Sequence, residues 1–71
     1  MCEANVYLTG GAPNEEPELY LAAVDEILPD GEDAWKLKSI FGEQKLLNGR
    51  ILSMNLVDHR IIFKKPEGAG A

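Results

Sequence analysis

Only one cysteine and one histidine occur in the chain, so the side chains of one copy fall short of the four protein ligands of a structural zinc site, and no intramolecular disulfide can form. Basic residues are scarce: seven lysines and arginines against twelve acidic residues give a formal net charge of −5. That balance argues against nonspecific nucleic-acid binding, which rests mainly on Lys and Arg. The aromatic residues other than Trp35 and Phe63, namely Tyr7, Tyr20 and Phe41, are too scattered to suggest a base-stacking platform. No apolar run approaches the ~20 residues of a membrane-spanning helix. The first nine residues have no basic start and are interrupted by Glu3 and Asn5, unlike a secretory signal. A cytoplasmic protein is expected, in a compartment where a lone thiol stays reduced.

Length is the other shortage. A chain of 71 residues makes one domain and buries only about 60% of the surface its unfolded form exposes, which leaves no room for a large enclosed active site. There is no base beside a nucleophile, no glycine-rich phosphate loop and no readable pair of carboxylates, so an enzyme is not expected and no catalytic residue is assigned. A small core and a shortage of ligands both favour a second copy, and twofold homodimers are the commonest soluble oligomers.

What is present is organised around the first residues. From Cys2 to Leu8 the even positions read Cys2, Ala4, Val6, Leu8 and the odd ones Glu3, Asn5, Tyr7, followed by Thr9, the period-two pattern of a half-buried strand. If Val6 and Leu8 face the core, Cys2 and Ala4 share that face at the rim. A free cysteine is usually a small buried apolar residue, but a chain terminus is where solvent reaches. Cys2 is therefore the candidate for chemistry, as a metal ligand or a redox thiol; the redox role lacks a resolving cysteine in the same chain.

Thr9-Gly10-Gly11-Ala12-Pro13-Asn14 breaks the strand as a loop. Residues 15–29 are ambiguous. Asn14 as a cap, Glu15-Glu16-Pro17 as a first turn, Ala22-Ala23 and the stop at Pro29 suit a helix, whereas Leu19, Leu21, Val24 and Ile27 suit a strand bent near Ala22-Ala23. The acidic turn Pro29-Asp30-Gly31-Glu32-Asp33 lacks the ligand ladder of a calcium loop and is given no metal role. Trp35, Leu37 and Ser39 alternate with Lys36 and Lys38, and Phe41-Gly42-Glu43-Gln44 predicts a tight hairpin. From Lys45 to Leu56 an apolar stretch surrounds Asn48-Gly49, a bend or bulge at a barrel corner. Val57-Asp58-His59-Arg60 is a further turn, in which His59 is expected as a hydrogen-bonded turn residue before a ligand. Ile61-Ile62-Phe63 closes the sheet, with Trp35 and Phe63 in the core. The expectation is an all-β protein of five to six strands, a small antiparallel barrel or rolled sheet, with one domain over residues 1–64 and a mobile C-terminal tail over 65–71.

Three segments, Met1-Cys2-Glu3-Ala4-Asn5-Val6-Tyr7-Leu8, Phe41-Gly42-Glu43-Gln44-Lys45 and Val57-Asp58-His59-Arg60-Ile61, resemble the CooT family of small nickel-binding proteins. The resemblance covers residues 1–64 and is most specific at the Met-Cys start. It implies an SH3-like barrel, a homodimer, and Ni(II) bound through Cys2 at the dimer interface, in a metallochaperone that serves a nickel enzyme such as carbon monoxide dehydrogenase. It also implies that residues 18–28 are extended. The loop Ala12–Pro17 has no counterpart in the resemblance. Relatives labelled RNA-binding supply the alternative, a small β-barrel module for RNA or protein in which Cys2 is incidental.

The donors at the terminus suit the metal. A bound divalent cation favours the thiolate at neutral pH, and the terminal amine, with an ordinary pKa of about 7.7–8.0, also yields its proton to a metal. If Met1 is removed, amine and thiolate belong to Cys2, and two copies offer two nitrogens and two sulfurs, a square-planar set for nickel. If Met1 is retained, the Cys2 backbone nitrogen becomes a further donor. Glu3 is not expected to take part, since on a strand it faces away from Cys2.

Overall fold

The computed structural model describes residues 3–12 and 14–66. Six strands account for most of them: β1 (Ala4–Thr9), β2 (Glu18–Pro29), β3 (Ala34–Ser39), β4 (Gln44–Asn48), β5 (Arg50–Asn55) and β6 (Arg60–Lys64). They form one sheet in the order β4-β3-β2-β1-β6-β5. Cys2 and the last part of the expected tail, residues 67–71, lie outside the described residues. No helix of the described residues is long and apolar enough to cross a membrane.

The all-β class and the strand count agree with expectation, and the antiparallel SH3-like barrel is corrected in two respects. β1 and β6 run parallel, with Asn5 opposite Arg60 and Thr9 opposite Lys64, and the edge strands β4 and β5 are not paired, so the sheet is mixed and not closed. The connections explain both. Antiparallel pairing reverses the chain between β1 and β2, β2 and β3, β3 and β4, and β5 and β6. The step from β4 to β5 turns a corner at Gly49 without a reversal, and four reversals bring β6 back in the direction of β1.

That corner explains the roll of the sheet. β4 and β5 stand at opposite edges, yet only Gly49 separates them in sequence. The glycine has φ 142°, and a Cβ there would overlap the backbone carbonyl oxygen of Lys64. Its amide donates to the Asp33 carbonyl at 2.7 Å and its carbonyl accepts from Trp35 Nε1 at 2.9 Å. The predicted bend at Asn48-Gly49 is this corner.

The 12-residue β2 is a strand along its whole length, which settles the ambiguity against helix. It bends where expected: Ala23 has φ 57°, and its register against β1 and β3 shifts on either side of Val24. Residues 18–24 pair with β1 and residues 24–29 with β3, with Val24 beside the bend opposite both Ala4 and Ser39. The core beneath consists of Val6, Leu21, Val24, Leu37, Leu47, Ile61 and Phe63, with Ala4, Leu8, Tyr20, Ile27 and Trp35 packed against it. Phe63 is fully buried and meets the half-buried Trp35 edge to face at 5.6 Å, a geometry worth about 0.5–1.5 kcal/mol beyond area burial.

The alternation of β1 fails at one position. Thr9, expected outward, is buried at the end of the strand, where it is tied to the segments on either side. Its hydroxyl accepts from the Gly11 amide at 3.2 Å, and its carbonyl accepts from Lys65 at 2.9 Å. Ser39 is likewise buried; its hydroxyl accepts from the Phe41 and Glu43 amides, each at 3.2 Å, and so caps the β3–β4 hairpin.

Candidate functional site

The start of β1 is held from two sides by residues in the left-handed backbone region, Ala23 on β2 and His59 at the turn into β6. Asn5 joins them: its side-chain oxygen accepts from the Ala23 amide at 3.1 Å, and its own amide donates to the His59 carbonyl at 2.8 Å. The Asn55 side chain shapes the turn before β6, accepting from the Val57 and Asp58 amides at 3.1 and 3.0 Å. His59 is among the residue types that tolerate positive φ best after glycine, here 54°, where most side chains are strained.

The His59 ring carries this hold further towards the terminus. Its Nδ1 lies 2.7 Å from the Glu3 carbonyl oxygen. A carbonyl only accepts, so Nδ1 bears the hydrogen, and in the neutral ring Nε2 then keeps its lone pair. His59 is thus the hydrogen-bonded turn residue expected from its sequence context. Its link to Glu3, 56 positions away, had no local signal and exists because β6 lies beside β1. Cys2, the predicted metal ligand, is joined directly to Glu3 and lies outside the described residues.

An open groove of about 440 Å³ begins at the same place. Its apolar wall is Ala4, Val24, Ile27, Met54, Leu56 and Ile61, and its polar rim is Glu3, Asp25 and His59. The rim carries two carboxylates and no lysine or arginine, an arrangement that favours approach of a cation. Among the described residues, no group of three or more His, Cys, Asp or Glu side chains could by itself hold a metal. The groove was not legible beforehand, because its wall combines residues from β1, β2, β5, β6 and the turn before β6.

Beside the groove, β5 is exposed along its length. Leu52 and Met54 on this strand and Leu56 and Val57 just after it are all about half exposed or more, and the outer edge of β5 pairs with no other strand of the sheet. The other aromatic residues are committed elsewhere: the Arg60 guanidinium lies 4.6 Å over Tyr7 and the Lys45 ammonium 4.9 Å over Tyr20, whose hydroxyl donates to the Leu46 carbonyl. Phe41 stands alone at the β3–β4 hairpin, 83% exposed.

Fold and site together define a small all-β protein, one rolled sheet whose N-terminal strand begins at an acidic-rimmed apolar groove. The chain matches, over residues 1–64, the family model for the CO dehydrogenase accessory protein CooT, and it belongs to the CooT family. That family is described as an accessory protein of CO dehydrogenase. The crystal structure of a CooT candidate from Carboxydothermus hydrogenoformans is similar at 35% sequence identity, with a TM-score of 0.78, covering 93% of this chain and 100% of that one. No curated protein matches the chain significantly.

Proposed function

We propose that this protein binds Ni(II) as a metallochaperone for a nickel enzyme of the carbon monoxide dehydrogenase type, with the Cys2 thiolate as the principal ligand in a homodimer. Family membership over residues 1–64 carries the accessory role. The donor chemistry carries the metal: thiolate and amine nitrogen together suit square-planar nickel. Such donors would bind copper more tightly still by the general affinity order, so cellular availability decides which ion is loaded.

The second copy follows from the ligand shortage and from the surface. One chain offers one thiol, and the exposed apolar residues of β5 lie beside the groove where β1 starts. Burying such a strip against its twin is favoured by about 25 cal/mol per Å² of apolar area, and a twofold axis there brings two termini into one neighbourhood.

Nickel titration of the purified protein tests the proposal. The expected result is thiolate-to-metal absorption saturating at about one ion per two chains under the twofold model, abolished by Cys2→Ser. Unchanged nickel binding by Cys2→Ser would overturn it. RNA binding that survives Cys2→Ser and weakens with salt would favour a nucleic-acid module instead.

A further inference from the structure

We infer that His59 is a positioning residue for the N-terminal nickel-binding segment: its ring fixes the Glu3 carbonyl and thereby sets where the chain leaves the sheet towards Cys2. The inference rests on Cys2 as the metal ligand, and it adds a residue 57 positions away in sequence from that cysteine.

The pairing of the strands shows why the ring is needed. β1 is tied to β6 from Asn5 onward and to β2 from Ala4 onward, so Glu3 lies beyond both ladders. There the His59 Nδ1–H takes over, 2.7 Å from the Glu3 oxygen. The same residue accepts from the Asn5 amide through its own carbonyl at 2.8 Å. One residue thus holds the chain at two alternate positions, at Asn5 in β1 with its backbone and at Glu3 before it with its ring. His59 makes both contacts from left-handed backbone geometry, φ 54°.

A ligand presented by a freely moving terminus loses conformational entropy when a metal fixes it. Anchoring Glu3 removes part of that loss before the metal arrives, as outer hydrogen bonds do around metal ligands generally, where their removal costs about 10–100-fold in affinity. The ring acts here through the backbone of Glu3 and is not itself assigned as a ligand.

The test compares wild type, His59→Ala, His59→Asn and Leu47→Val, the last a core change on β4 at the far edge of the sheet, using nickel chloride as the probe. His59→Ala is expected to weaken nickel binding by about tenfold or more and to broaden or shift the thiolate-to-nickel absorption band. His59→Asn keeps a residue suited to positive φ and a side-chain N–H donor, and is expected to recover a large part of the affinity. Leu47→Val is expected to lower the melting temperature with nickel affinity unchanged, which separates positioning from loss of stability. Wild-type affinity and spectrum in His59→Ala would overturn the inference while leaving the nickel function intact. Full loss in both His59 variants would overturn it too, by making the imidazole itself a ligand. A readout without metal stands apart from the nickel reading: amide relaxation at Glu3 should show greater motion in His59→Ala than in wild type, and unchanged motion there would overturn the anchor even in a protein that binds no nickel.

Discussion

At the scale of single residues, the corners of the sheet rest on backbone conformations that most side chains avoid. Gly49 is the strictest case, since it combines φ 142° with contact against the Lys64 carbonyl. A side chain there meets a backbone region costing about 1–3 kcal/mol and a steric overlap with main chain that has no flexible end to move aside. Gly49→Ala is therefore expected to destabilise the fold by more than about 2 kcal/mol, read as a lowered midpoint in urea with the slope preserved. The Asn48-Gly49 pair made this position visible in advance as a bend. His59 is different: its turn was visible, but its bond to Glu3 depends on a strand neighbour that local sequence does not specify.

At the scale of elements, β2 shows why periodicity misleads. Beside Tyr20, its core-facing side chains are Leu21, Val24 and Ile27, spaced by three, which is a helical interval and not a strand interval. The spacing arises because left-handed Ala23 and the register shift after Val24 each change the phase of a two-residue alternation. A bulged strand thus presents one face with the sequence signature of a helix. β3, which has no such shift, kept its pattern: Leu37 and Ser39 are buried and Lys36 and Lys38 are exposed. β6 carries the most consequential core residue. Phe63 is fully buried against Trp35, and Phe→Ala changes in cores cost about 3–5 kcal/mol, while a chain of this size is held by only about 4–10 kcal/mol. Phe63→Ala should leave a large unfolded fraction at room temperature, seen by loss of near-ultraviolet circular dichroism and cooperative melting. Phe63→Leu should fold with a reduced melting temperature.

At the scale of the whole molecule, the open edge at β5 is the feature a lone chain manages least well. An unpaired edge strand bearing Leu52 and Met54, and followed by Leu56 and Val57, invites pairing with another chain, and no lysine interrupts β5, whose sequence is Arg-Ile-Leu-Ser-Met-Asn. Under the proposed homodimer, Met54→Lys and Leu56→Lys should shift the protein towards monomer in sedimentation experiments. They should also reduce the nickel bound per chain, because the second thiol is withdrawn. A monomeric wild type with full nickel binding would remove the dimer from the proposal and leave Cys2 in it.

The sequence by itself determined the local features: the strand at the N-terminus, the hairpin at Gly42, the corner at Gly49, the apolar character of Phe63 and the family to which the Met-Cys start points. These are legible because each depends on backbone sterics or on the alternation of neighbouring side chains. Tertiary structure alone decided that β6 runs parallel to β1, that the sheet stays open between β4 and β5, and that His59 reaches the backbone beside Cys2. Those outcomes depend on the number of chain reversals and on one corner that does not reverse, quantities that no short window of sequence contains.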